Sequence, residues 1–223
     1  MTAVAEVPDV QSLTIGVLGG TGDQGRGLAR RFAAAGLRVL IGSREQQRAD
    51  EAAAAAGPGV EGLTNDAVAR RSDLVIVAVP WAAHAATLEA LRESLTGTIV
   101  VDCVNPLGFD AQGAFALPVA EGSAAQQAAV LLPDSTVVGA FHHVSAVLLL
   151  DDDVDHVDCD VLVLGDDRRA TDVVQALAET IPGVRGIYGG RLRNAHQVEA
   201  LTANLISVNR RYKAHAGLRV TDV

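Results

Sequence analysis

Apolar residues fall in short continuous runs from residue 13 to about residue 188, with Ala- and Leu-rich stretches of helical spacing between several of them. LTIGVL (13–18), RVLIG (38–42), DLVIVAV (73–79), TIVVDC (98–103), TVVGAF (136–141), DVLVLG (160–165) and VRGIYG (184–189) read as strands. Their apolar positions run on without alternating, the pattern of strands covered on both faces. GRGLARRFAAAG and AAHAATLEALRESL read as helices. Such strand–helix–strand alternation predicts an α/β fold, doubly wound around a mainly parallel sheet with right-handed crossovers. After Gly190 the pattern changes: Val198, Leu201, Leu205 and Val208 share one helical face, with Asn204 and Asn209 off it. That stripe predicts a C-terminal helix buried either on the main sheet or in a dimer contact that also walls a cleft. No repeat or Ser/Pro linker interrupts the chain, so the predicted division is gradual. Residues 13–150 form a nucleotide-binding domain, and residues 151–223 a smaller part that completes the cleft.

Composition narrows the function classes. The 223 residues are 49% hydrophobic and 20% charged, enough for one sizeable core with at most a small appendage. A net charge of -9 argues against nucleic-acid or anionic-membrane partners, which need a basic face. An anionic ligand must therefore be held by a local site working against the overall field. Cys103 and Cys159 have no metal-type spacing and read as buried thiols in a reducing cytoplasm. MTAVAEVPDVQS lacks the basic-then-apolar pattern of a signal peptide. The most apolar stretch, 74–83, is far short of the roughly 20 residues that span a bilayer.

Gly20-Thr21-Gly22-Asp23-Gln24-Gly25 matches G-x-G-x-x-G, and it follows a strand and opens a helix, the context that gives the motif meaning. Gly20 would allow a tight turn, Gly22 a close backbone approach to a pyrophosphate, and Gly25 close packing of helix on strand. Free N–H groups and the positive helix end would then face the phosphates. At the end of the second strand, where NAD-binding units place an acid, stand Ser43 and Arg44, with Arg48 four residues further on. A hydroxyl and guanidinium groups there suit the 2′-phosphate of NADP.

Ligands of such sheets bind outside the carboxyl ends of the strands. The third long strand ends in Val79-Pro80-Trp81 with His84 one turn later, the next in Val104-Asn105-Pro106-Leu107, and a later one in Phe141-His142-His143-Val144. These ends converge on one cleft, where Trp81 would line a nicotinamide pocket. Adjacent residues on an extended segment point to opposite sides, so His142 and His143 read as cofactor contacts or structural groups, not as a metal pair. DDDVDHVDCD (151–160) fails the calcium-loop pattern and reads as a solvated acidic connection. No nucleophile–histidine–acid set can be argued from spacing, and no metal site is expected.

GVLGGTGDQGRGLA, the corner IGSR with Arg48, the strand end VPW, GAFHHVSA and the closing RLRNAHQVEALTANLISVN resemble the F420-dependent NADP reductases over essentially the full chain. The resemblance implies a Rossmann domain with a short helical tail, and reversible hydride transfer between NADPH and the deazaflavin coenzyme F420. It implies that Thr21, Ser43, Arg44 and Arg48 carry the 2′-phosphate. It also implies that Val144 is the aliphatic residue beside the two rings, and that no catalytic side chain is required. His143 stands where some members carry a smaller hydroxyl residue. Two other readings remain open on the residues alone. One is an NADPH-dependent reductase of a small imine or ferric chelate, and the other a non-catalytic NADP sensor.

Overall fold

The run LTIGVL opens the fold as a fully buried strand, β1 (Thr14–Leu18). The computed structural model describes residues 9–223. Most of the N-terminal stretch read above for a signal peptide, residues 1–8, lies outside the described residues. After β1 come α1 (Asp23–Ala34), β2 (Arg38–Ser43), α2 (Gln46–Ala56), β3 (Val60–Thr64), α3 (Asn65–Arg71), β4 (Leu74–Val77) and α4 (Trp81–Leu91). Next are β5 (Ile99–Asp102), a hairpin of β6 (Leu107–Asp110) and β7 (Gly113–Ala116), α5 (Ala124–Leu131), β8 (Thr136–Gly139) and α6 (Ala146–Leu150). The chain closes with β9 (Cys159–Gly165), α7 (Arg168–Glu179), β10 (Val184–Gly190) and α8 (Ala195–Tyr212).

Eight strands form one sheet in the order β10-β9-β8-β5-β4-β1-β2-β3. The six from β3 to β8 run parallel, and their order reverses between β1 and β4, which puts a ligand crevice at the carboxyl ends of those strands. β9 lies antiparallel to β8 and parallel to β10, so one sheet continues across residue 150. Along β4, Leu74 and Ile76 enter one apolar cluster with Phe32 and Leu28 of α1, while Val75 and Val77 enter another with Leu88 of α4. Both faces are dry, which is why the strands read as unbroken apolar runs. β3 and the β6–β7 hairpin were not anticipated; each is partly exposed and lacks such a run.

Two contacts position the loop after β8. A Cβ on Gly27 would sit 2.7 Å from Cβ of Leu149, so this glycine lets α6 lie directly on α1. Arg31 of α1 then donates to the Leu149 and Leu148 carbonyls at 2.8 and 2.7 Å, satisfying the end of α6. Beyond α8 the chain doubles back. Asp160, read with its neighbours as solvated, is instead fully buried. It accepts from Arg185 at 2.8 and 2.6 Å, from Arg219 at 2.6 Å and from the Val220 N–H at 2.6 Å, clamping the C-terminal segment under β9.

Candidate active site

The phosphate loop is shaped by glycines, though not all in the expected roles. The left-handed turn falls on Gly19 (φ +77°), where a Cβ would stand 2.5 Å from the Ala78 carbonyl oxygen. Gly20 has no positive φ; its bare Cα leaves room for Ile41, whose Cγ2 would be 2.6 Å from a Cβ. Gly25 brings the helix against the loop itself, since a Cβ would lie 2.8 Å from the Gly19 oxygen. Gly22 caps α1, and a Cβ there would meet only an ordinary contact at 3.4 Å. The following N–H groups of Asp23, Gln24 and Gly25 have no intrahelical acceptor and are free for an anion. The Asp23 carboxylate turns away to Arg26 at 2.9 Å.

Ser43, Arg44, Arg48 and Thr21 line one cavity of about 200 Å³, with Val79 and Pro80 on its other side. Ser43 Oγ accepts from the Glu45 N–H at 3.4 Å, which leaves its O–H available to a ligand in the cavity. Arg48 has an exposed contact with Glu45 at 3.4 Å, a pair worth at most about 1 kcal/mol and easily exchanged for a phosphate. Among the described residues Arg44 pairs with no acid. It precedes the helix, whose N-cap is Glu45, so Arg44 and Arg48 meet at the cavity and not along a helical face. Asn65, missed in the sequence, also lines this corner, and its buried Oδ1 has no partner. The donor set fits a phosphate monoester, and the orphaned Asn65 oxygen fits a donor such as a ribose hydroxyl. Its only signal was the Thr64-Asn65-Asp66 helix start, which carries meaning only once β3 is known.

Val79 and Pro80 also line a second cavity, of about 460 Å³, so the two adjoin there. Gln24, Trp81, Asn105, His142, His143 and Val144 converge on it. α8 supplies the opposite wall through Thr202, Leu205, Ile206 and Asn209. Of the predicted stripe only Leu205 faces this cleft, while Asn209, read as off the stripe, lines it.

The β8–α6 loop is held in a strained shape. Phe141 takes φ +63°, at about 1–2 kcal/mol for a bulky residue, while its ring packs edge-on against Phe32 at 5.9 Å. Gln24 Nε2 donates to its carbonyl at 3.3 Å. The next carbonyl, of His142, accepts from Asn105 Nδ2 at 3.2 Å and from the Thr202 hydroxyl at 3.4 Å. His143 donates from Nε2 to the Val198 carbonyl at 2.6 Å and so ties the loop to α8. The His142 ring has neither nitrogen bonded, and burial, aided by His143, pushes its pKa down to about 3. It is a neutral part of the cleft wall.

Outside the glycine loop, two predicted residues do not reach either cavity. Pro106 is buried at the start of the hairpin. His84 is fully buried beneath Trp81, ring centroids 5.4 Å apart, because position i+3 on α4 turns inward. Its Nε2 lies 2.6 Å from Asp102 Oδ2 and its Nδ1 3.0 Å from Gln127 Oε1. Gln127 donates its amide to Glu121 at 3.2 Å, so its oxygen faces His84 and both imidazole nitrogens donate. Burial opposes that charge, but the Asp102 carboxylate outweighs it and the His84 pKa is raised. Close by, Glu199 of α8 accepts from the Ala124 and Ala125 N–H groups at 2.9 and 3.1 Å. Burial, reinforced by the Asp102 charge, pushes the Glu199 carboxyl up to about 7. These groups form a sealed support under the cleft. What faces the cleft itself is apolar, amide, hydroxyl, thiol and neutral imidazole, with no acid, lysine or arginine among the described residues that line it, suited to holding flat rings.

Residues 14–106 match the family described as NADP oxidoreductase, coenzyme F420-dependent. Over 226 residues, 96% of this chain and 97% of the relative, the sequence is 41% identical to an F420-dependent NADP reductase of Methanothermobacter thermautotrophicus. It is 40% identical to that of Methanocaldococcus jannaschii, covering 95% of this chain and 99% of the other. A crystal structure from Arthrobacter sp. FB24, described as a candidate F420-dependent NADP reductase, has a TM-score of 0.82 at 27% identity. It covers 94% of this chain and 100% of that one. With identity sustained at this level along nearly the whole of both chains, the protein belongs to the F420-dependent NADP reductase family.

Proposed function

We propose that this protein catalyses NADPH + H⁺ + F420 ⇌ NADP⁺ + F420H2, with hydride passing directly between the two rings. The observation that carries the reading is the junction of two cavities at Val79 and Pro80. One is a phosphate corner with an unpaired arginine, and the other a ring-sized cleft with no acid, lysine or arginine among the described residues of its lining. Thr21, Ser43, Arg44 and Arg48, joined by Asn65, hold the 2′-phosphate, and the first turn of α1 holds the pyrophosphate. The nicotinamide lies along Val79, Pro80 and Trp81. The deazaflavin stacks against it from the side of α8, with Val144 beside both rings and the amide of Asn105 and the His142 imidazole at their edge. Holding two rings in near-attack contact can be worth roughly 7–11 kcal/mol, and the protein's task here is that alignment.

The enzyme acts as a cytoplasmic homodimer in which residues 151–223 complete the cleft of the domain formed by 13–150. Cys103 and Cys159, both free and buried, support a reducing compartment. Val208 and Tyr212, exposed by 37% and 73% on one side of α8, support a dimer contact there, which light scattering at twice the chain mass would register. The imine, ferric-chelate and sensor readings are not favoured, because the relatives matched end to end are F420-dependent. The deciding experiment adds NADPH to the purified protein with oxidised F420 and follows its visible absorption. Bleaching with NADPH and little with NADH is expected; no bleaching with NADPH overturns the reading.

A further inference from the structure

A third cavity, of about 580 Å³, opens between the β6–β7 hairpin and α8. Ile206 lines both it and the ring cleft, so the two share a wall. Its other walls include Phe109, Gln112, Arg210 and Arg211. The one acid present, Asp110, is committed elsewhere: its Oδ1 accepts from the Gln112 and Gly113 N–H groups at 2.7 and 3.1 Å within the hairpin turn. Ser207 likewise donates back to the Ala203 carbonyl at 3.0 Å.

The two guanidiniums thus stand in this cavity without an acidic partner among the described residues. The surface cavity beside β10 is different, for there Arg168 and Arg191 face Asp172 and Asp166 at 3.8 and 3.6 Å. In a chain of net charge -9, two adjacent unpaired arginines are a local exception to the field. Guanidinium forks are always charged and match phosphate and carboxylate geometry. Phe109, 69% exposed, adds an apolar surface at the mouth. From Thr202 in the ring cleft to Arg210 is about 12 Å along the helix axis, outward from the ring site.

We propose that Arg210 and Arg211 form an anion subsite for the phosphodiester and carboxylate-bearing tail of the deazaflavin substrate, reached by its ribityl arm along the hairpin and α8. The subsite rests on the reading that F420 is the acceptor. It binds the tail and leaves the hydride step to the ring cleft.

The test compares F420 with the riboflavin-level deazaflavin, which has the same ring, ends at the ribityl hydroxyl and lacks the anionic tail. Arg210→Glu, Arg211→Glu and the double substitution are assayed with NADPH and each acceptor. Each single change should raise KM for F420 about tenfold at unchanged kcat, and leave KM for the tail-less acceptor and for NADPH as in the parent. Should a variant fold poorly, the parent's salt dependence decides. Rising ionic strength should raise KM for F420 and not for the tail-less compound. Equal KM shifts for both acceptors, or none, overturn the subsite. Failure of the parent to reduce either acceptor instead overturns the function proposed above.

Discussion

Arg44 concentrates the choice of nucleotide in one side chain. It stands at the end of β2 without an acid to occupy it among the described residues, beside a serine whose hydroxyl proton is left for a ligand. A hydrogen bond to a charged group contributes about 1.5–3 kcal/mol, which is roughly ten- to a hundredfold in binding. Arg44→Glu should therefore raise KM for NADPH by at least about tenfold and change KM for NADH little, in steady-state rates with either nucleotide. Unaltered preference would show that Arg48 and Thr21 suffice. This corner was legible because its chemistry is local: the residue types stand next to a glycine motif and read at once. His84 was not legible. Its neighbours in sequence suggested a cleft residue, whereas its partners, Asp102 and Gln127, lie 18 and 43 positions away and are found only by folding.

Among the elements, α8 is anchored by a buried carboxyl group as well as by its bonds to the β8–α6 loop. Glu199 joins it to the N-terminus of α5, with Asp102 and His84 as the charged neighbours. An ordinary glutamate titrates at 4.5, and this one at about 7. The unfolded chain therefore loses its proton first as pH rises, and stability falls between about 4.5 and 7. The full penalty, on the order of 3 kcal/mol, persists above that window. His84, with its raised pKa, contributes stability that is also lost as pH rises. Glu199→Gln should accordingly flatten, but not abolish, the decline of urea midpoints from pH 4.5 to 8. Parallel profiles for parent and variant would exclude Glu199 as the source. The long parallel strands were legible because both faces are buried. β3 was hidden because VEGLT carries no apolar run and forms on the hydrogen-bonding edge that β2 offers. The hairpin was hidden because two four-residue strands are stable only against α8, a contact far away in sequence.

For the molecule as a whole, closure of the cleft depends on a clamp at its far end. Asp160 fixes the segment that brings Ala216 to the cleft wall, and hydrogen bonding from Arg185 holds its carboxyl below the usual aspartate range. The clamp therefore contributes stability above the ordinary aspartate pKa and loses it as pH falls further. Asp160→Asn should cost about 2 kcal/mol in denaturant unfolding near neutral pH and raise KM for the acceptor more than for NADPH. An unchanged midpoint would mean that the tail is held by other contacts. Nothing in DDDVDHVDCD distinguishes this aspartate from its solvated neighbours, since burial is a property of the fold. The same overall arrangement leaves the chain's single tryptophan at the cleft wall, above an imidazolium. Its fluorescence is thus a built-in, single-site reporter. Emission should be quenched as a ring enters the cleft and should brighten as pH rises through the raised His84 pKa and the ring loses its proton, so occupancy can be followed without a label.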